Sequence, residues 1–285
     1  MSLRPIFRFA PSPNGLLHLG HAFSALFTWR AAAQLGGAAL LRIEDIDITR
    51  CKPEFTEAIF EDLHWLGLEW PQPVWRQSDR LPVYTEAADR LRTLGLLYPC
   101  FCSRAEVAAH ATGTDPDGAP LYAGTCRHLS AEQVSAHLEC GDPLQYRLDM
   151  ARAIALTGPL TFTAIGPTML DRPQIRYARP ERWGDVVLQR KEAPTSYHLS
   201  VVVDDAAQAI THVTRGRDME AATDIHVLLQ FLLGLPSPVY SFHKLLLDAA
   251  GNKLSKSKGS PSLRDLRQAG RTPANIRQEL GFDGA

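Results

Sequence analysis

Ile6-Phe-Arg-Phe-Ala-Pro-Ser-Pro-Asn-Gly-Leu-Leu-His-Leu-Gly-His21 decides the fold class. Residues 6–10 read as a short strand, Pro11 to Gly15 as a chain-breaking cluster, and a helix is predicted to begin near Leu19 to His21. Apolar Ala22, Ala25, Leu26, Trp29, Ala32 and Ala33 recur at three- and four-residue spacings until Gly36-Gly37 stops the pattern. A second apolar strand, residues 39–43, follows. Strand, helix and strand in roughly 40 residues form a βαβ unit. That predicts an α/β chain with a Rossmann-type parallel sheet, and a ligand site at the carboxyl edge of its strands.

Outward from this unit, the first half of the nucleotide-binding domain is predicted over residues 1–98. Near Pro99 the pattern changes to loops, such as Asp115-Pro-Asp-Gly-Ala-Pro120, and short strands at 145–149 and 160–163. Residues 99–182 are therefore read as an inserted α+β subdomain. The second half spans 183–245, where residues 197–203, Tyr-His-Leu-Ser-Val-Val-Val, read as a return of the parallel-sheet pattern. A helix follows over about residues 221–233, and residues 246–285 hold a lysine-rich loop and a short end.

The 285 residues are 45% hydrophobic and 21% charged, enough for about two domains with a sizeable core. A net charge of -1 argues against nucleic-acid binding over the whole surface, leaving a local basic patch as the RNA-binding option. The N-terminus lacks a signal-peptide apolar stretch, and the run Leu228 to Leu235 is far short of the roughly 20 residues that span a bilayer. Five cysteines, an odd number, do not look like a secreted disulfide framework. These readings point to a cytoplasmic protein without a membrane partner; a monomer is the expectation, though they do not themselves set the oligomeric state.

His18 and His21 would sit on the first turn of a helix, whose unpaired N–H groups and dipole favour phosphate. Gly20 between them allows close backbone approach. Two imidazoles there would stabilise charge developing at an α-phosphate. His-Leu-Gly-His alone also fits coenzyme-building nucleotidylyltransferases, or two plain surface histidines. Gly251-Asn-Lys-Leu-Ser-Lys-Ser-Lys-Gly259 is a glycine-bounded cationic loop, able to close on a triphosphate or to be only a solvated turn.

Taken in order, these stretches resemble the HIGH region and KMSKS loop of class I aminoacyl-tRNA synthetases, in particular the glutamyl and glutaminyl group. The resemblance covers most of residues 6–260. It implies ATP binding by His18, Gly20, His21, Lys253 and Lys256, with His18, His21 and Lys256 assisting the chemistry and Mg2+ accompanying ATP. Leu254 stands where the loop motif has methionine, a volume-conserving change. Arg8, Phe9, Ala10, Pro11, Ser12, Glu44, Tyr197 and Arg215 match positions that hold the amino acid. Two arginines, Arg8 and Arg215, favour glutamate over glutamine, because a neutral amide would leave both cations uncompensated.

Cys100-Phe-Cys102 and Tyr122-x-x-x-Cys126 lie on either side of a loop. Three thiolates and one more donor make a tetrahedral zinc site, though buried free thiols fit as well, and His110 or His128 could serve as the fourth ligand. The stretch is similar to the glutamyl-queuosine tRNA(Asp) synthetases, which implies one structural Zn2+ on Cys100, Cys102, Tyr122 and Cys126. Cys51 and Cys140 match no ligand spacing. Only 28 residues follow Ser257, which leads to the expectation that no anticodon-binding domain is present and that the acceptor is queuosine-bearing tRNA(Asp). A short glutamyl-tRNA synthetase and a non-catalytic tRNA-binding module are the alternatives. Arg147, Arg152, Arg176, Arg179 and Arg182 are candidate RNA-backbone contacts.

Overall fold

The computed structural model describes residues 4–247 and 261–282. Its strands are β1 (Ile6–Phe9), β2 (Ala38–Ile43), β3 (Trp75–Arg76), β4 (Leu97–Cys100), β5 (Gln145–Leu148), β6 (Thr161–Ile165), β7 (Gln174–Tyr177), β8 (Val187–Gln189), β9 (His212–Gly216) and β10 (Val239–His243). The opening βαβ unit forms as the sequence predicts. β1 pairs parallel to β2, with Ile6 opposite Ala38 and Phe9 opposite Leu41, and the helix Leu19–Gln34 crosses between them.

Two parallel blocks adjoin at β1 and β9. One runs β1-β2-β3 and the other β7-β6-β10-β9, with only β7 antiparallel. At the seam the Thr211 N–H donates to the Ile6 carbonyl at 2.9 Å, and the Ile6 N–H donates to Thr211 Oγ1 at 2.8 Å. Ligands bind such open sheets where crossovers leave on opposite sides, at the carboxyl ends of the strands. The β1–β9 seam meets that condition.

A separate antiparallel sheet has the order β4-β5-β8. Hydrogen bonding thus does not follow the chain division read from the sequence. β6 and β7, inside the 99–182 stretch, join the parallel layer, whereas β8, beyond it, closes the sheet of the insertion.

Residues 197–203 are not a strand. They begin a helix, Tyr197–Ala207, in which Leu199 to Asp205 are all buried. A helix buried on every side shows no polar face, so its periodicity is lost, and its three valines imitate a buried strand. It packs against the helices Leu81–Thr93 and Thr223–Leu233, with Tyr84, Leu91, Leu199, Val202, Ile225 and Leu228 in one core. Each such side chain contributes roughly 1.5–3 kcal/mol by leaving water. That core backs the seam and makes the helix a rigid support for what lies in front of it.

Candidate functional site

An open cleft of about 620 Å³ lies at the carboxyl ends of β1 and β9. Arg8, Phe9, Ala10, Pro11, Ser12, His18, Gly20, His21, Glu44, Tyr197 and Arg215 all line it, so residues up to about two hundred positions apart meet there. Lys253 and Lys256 lie outside the described residues.

His18 is the N-cap of the helix Leu19–Gln34. Its Nδ1 accepts the Gly20 N–H at 3.0 Å, and His21 Nδ1 accepts the His18 N–H at 3.2 Å. This reciprocal capping satisfies two otherwise unpaired donors of the helix start. With both Nδ1 atoms accepting, each neutral ring carries its proton on Nε2, the atom that then donates. The rings stand 4.0 Å apart between centroids. A Cβ at position 20 would lie 2.9 Å from His18 Cε1 and 3.0 Å from its Nδ1, so a larger residue there would push the capping ring aside.

Behind the cleft is a buried charge network. Arg8 Nε donates to Asp205 Oδ1 at 3.1 Å, and Arg42 donates to Asp205 Oδ1 at 2.8 Å and to Glu44 Oε1 at 3.0 Å. Asp204 accepts from Arg80 at 2.8 Å, from Gln77 at 3.2 Å and from the Tyr84 hydroxyl at 2.7 Å. Burial opposes the Asp205 carboxylate, but Arg8 and Arg42 outweigh it and hold its pKa below the usual range. Burial also dominates at Glu44, against the pull of Arg42 and Arg8, and raises its pKa. A substrate ammonium beside Glu44 would favour its ionised form.

Arg215 differs from its neighbours. Only 6% exposed, it forms no ion pair with a described carboxylate, and its Nε has no hydrogen-bond partner among the described residues. Its NH1 and NH2 donate to His226 Nδ1 at 3.1 and 3.2 Å. A buried guanidinium costs several kcal/mol unless an anion compensates it.

The cysteine cluster also assembles. The sulfurs of Cys100, Cys102 and Cys126 lie within 4.8 Å of one another, with Cys102 Sγ and Cys126 Sγ 3.5 Å apart. The Tyr122 oxygen is 3.5 Å from Cys100 Sγ and 3.7 Å from Cys102 Sγ, and it accepts the Cys126 N–H at 2.7 Å. Zn–S bonds of about 2.3 Å would put sulfurs about 3.8 Å apart in a tetrahedron, so the donor set fits zinc. Arg147 donates to Cys100 Sγ at 3.3 Å and its guanidinium lies 3.9 Å from the Tyr122 ring centre, offsetting thiolate charge. Among the described residues, His110 and His128 are not in this cluster, whereas the Tyr122 oxygen lies beside two of its sulfurs.

The structure corrects a second reading from sequence. Arg147 is buried between Cys100 and the Asp185 carbonyl, so it is not an RNA contact. Arg176 and Arg182 are paired with Glu220 and Asp224. Sequence reasoning missed Arg42, Asp204, Asp205 and His226, because nothing in their spacing reports a partner far along the chain. The adjacent acids Asp204-Asp205 inside an apolar run were the available signal.

A model of the family described as tRNA synthetases class I (E and Q), catalytic domain, matches residues 6–284. The chain is 48% identical to a Rhodobacter capsulatus protein named Glutamyl-Q tRNA(Asp) synthetase, covering 97% of this chain and 100% of that one. A Symbiobacterium thermophilum protein of the same name is 38% identical, over 96% of this chain and 85% of that one. Among solved structures, an Elizabethkingia meningosepticum glutamate tRNA ligase in complex with its amino acid superposes with a TM-score of 0.70 at 28% identity. That match covers 94% of this chain, which spans 53% of the ligase.

Proposed function

The chain belongs to the class I glutamyl and glutaminyl tRNA synthetase family through its catalytic domain, and on that premise we propose that it activates L-glutamate with ATP and transfers it to the queuosine base of tRNA(Asp). The observation that carries the choice of glutamate is Arg215, a buried cation that lines the cleft and makes no ion pair with a carboxylate among the described residues. Arg215 and Arg8 bind the side-chain carboxylate, Glu44 and Tyr197 orient the amino acid, and residues 9–12 form the floor beside it. The choice of acceptor rests on relatives named for that reaction, of whose length this chain covers 100% and 85%.

In the first step a glutamate α-carboxylate oxygen attacks the α-phosphorus of ATP. The new O–P bond forms as the bond to pyrophosphate breaks. His18 and His21, through Nε2–H, donate to the phosphate oxygens on which charge accumulates. Gly20 and the helix start bring backbone N–H groups to the same place. Lys253 and Lys256 supply further positive charge to the triphosphate, and Mg2+ arrives with ATP. In the second step a hydroxyl of the queuosine ring attacks the anhydride carbonyl, and AMP leaves.

A Zn2+ held by Cys100, Cys102, Tyr122 and Cys126 would tie β4 to the following loop and supply structural cross-linking only. Elemental analysis after dialysis should give about one zinc per chain, and Cys126→Ser should bring it below about half. Zinc content unchanged in that variant would exclude the site. No described helix is long and apolar enough to cross a membrane, and we place the enzyme in the cytoplasm as a monomer.

The functional test uses ATP, labelled pyrophosphate and labelled glutamate. Glutamate-dependent exchange is expected, followed by acylation of tRNA(Asp) carrying queuosine and no acylation of the same tRNA lacking it. Label at a tRNA 3′ end would overturn the assignment in favour of a short glutamyl-tRNA synthetase. Absence of exchange with folded protein would instead favour a binding module.

A further inference from the structure

Arg215 is held from behind by a neutral acceptor rather than by a carboxylate. His226 is 1% exposed, on the helix Thr223–Leu233, and its Nδ1 accepts from both terminal nitrogens of Arg215. Since Nδ1 accepts, the proton of the neutral ring sits on Nε2, which faces His198 Nδ1 at 3.3 Å. His198 lies on the helix Tyr197–Ala207, one residue after the cleft residue Tyr197, whose ring centre is 5.4 Å from that of His226. The remaining hydrogen bonds of Arg215 NH1, to Met219 O and Thr223 Oγ1, are long at 3.5 Å each. Among the described residues, everything that positions this guanidinium from the protein side is therefore uncharged.

The contrast with Arg8 is direct. Arg8 is matched by Asp205 at 3.1 Å and brings a geometry to the cleft, with its charge already balanced. Arg215 brings an unbalanced charge. From this difference, and resting on the glutamate reading above, we infer that His226 is a positioning residue that selects for an acidic amino acid, by orienting Arg215 while leaving its charge for the ligand. Burial first, and Arg215 second, lower the pKa of both imidazoles, that of His198 to about 4, so the pair stays neutral near pH 7. An aspartate at position 226 would orient Arg215 equally well but would neutralise it, and the cleft would lose its demand for a substrate anion.

The test compares His226→Asn, His226→Leu and His226→Asp in pyrophosphate exchange, with glutamate and with glutamine as substrate. Asparagine places an oxygen acceptor near the position of Nδ1. It should keep the KM for glutamate within about threefold, while leucine should raise it by roughly 10- to 100-fold and leave the KM for ATP nearly unchanged. Aspartate should raise the KM for glutamate at least as far as leucine does. It should also lower the glutamate-to-glutamine ratio of kcat/KM by more than about tenfold. A role in folding alone would lower Tm and active fraction without separating the two KM values, and Tm is measured on each variant for that reason. Leucine and wild type sharing one KM for glutamate would overturn the inference, as would aspartate keeping the wild-type preference over glutamine. Absence of glutamate exchange in the wild type would instead remove the functional reading beneath it.

Discussion

Arg215→Leu is expected to raise the KM for glutamate on the order of 10²- to 10³-fold in ATP–pyrophosphate exchange, with the KM for ATP little changed. Removing one partner of a buried, hydrogen-bonded charge pair costs about 2–5 kcal/mol, and each 1.4 kcal/mol is a factor of about ten. The upper part of that range applies because the guanidinium is 6% exposed and makes no ion pair with a described carboxylate. Arg215→Lys should recover only part of the loss, since a single ammonium cannot reproduce the planar fork of donors. The variant should fold at least as well as the wild type, because it removes a buried charge that is uncompensated without substrate. A KM within about threefold of wild type would show that Arg8 alone holds the side-chain carboxylate.

Asp205→Ala should have its largest effect on stability. Asp205 bridges Arg8 and Arg42, with N–O distances of 3.1 and 2.8 Å, and Arg42 is fully buried. Truncation leaves Arg8 without its carboxylate and Arg42 dependent on Glu44 and on Asp204 at 3.8 Å. Breaking such a network from one side costs about 3–5 kcal/mol, which for a chain of this size lowers Tm by roughly 10 °C. Glutamate binding should weaken with it, because Arg8 loses its orientation. Asp47→Asn is the control. That residue pairs with Arg50, whose side chain is 67% exposed, and exposed pairs contribute less than about 1 kcal/mol.

The stability difference between wild type and Asp205→Asn has a defined pH dependence. The Asp205 pKa is lowered in the folded state, so its contribution is present above the unfolded carboxylate value of about 3.9. It is lost as pH falls through the lower folded value. Thermal melts at neutral pH should separate the two proteins, and melts in strong acid should bring them together. A difference that grows on acidification would contradict the ionised form of Asp205 in the folded protein.

Much of this site is legible from short-range patterns. His18 and His21 sit where the strand-to-helix turn predicted them, because the proline-glycine cluster, the cap and the apolar spacing are local. Arg8 and Glu44 end adjacent parallel strands, so a correct βαβ reading places both at one sheet edge. The three cysteines were visible through their spacing within 26 positions of Cys100. The roles of supporting residues were not visible. Arg147 reads as a surface cation until the β4–β5–β8 sheet buries it against Cys100.

By itself, then, the sequence determined the βαβ start, the strand-to-helix turn, the identity of the groups that line the cleft and the family they belong to. Those properties depend on neighbours a few positions apart, where spacing and turn chemistry act. Only the tertiary structure decided that residues 197–207 are a helix, because full burial removes the polar face that marks one. It alone decided that Asp205 balances Arg8 from 197 positions away while Arg215 meets a neutral histidine. Which buried charge is neutralised depends on what packing brings within about 3 Å, and no spacing along the chain encodes that distance.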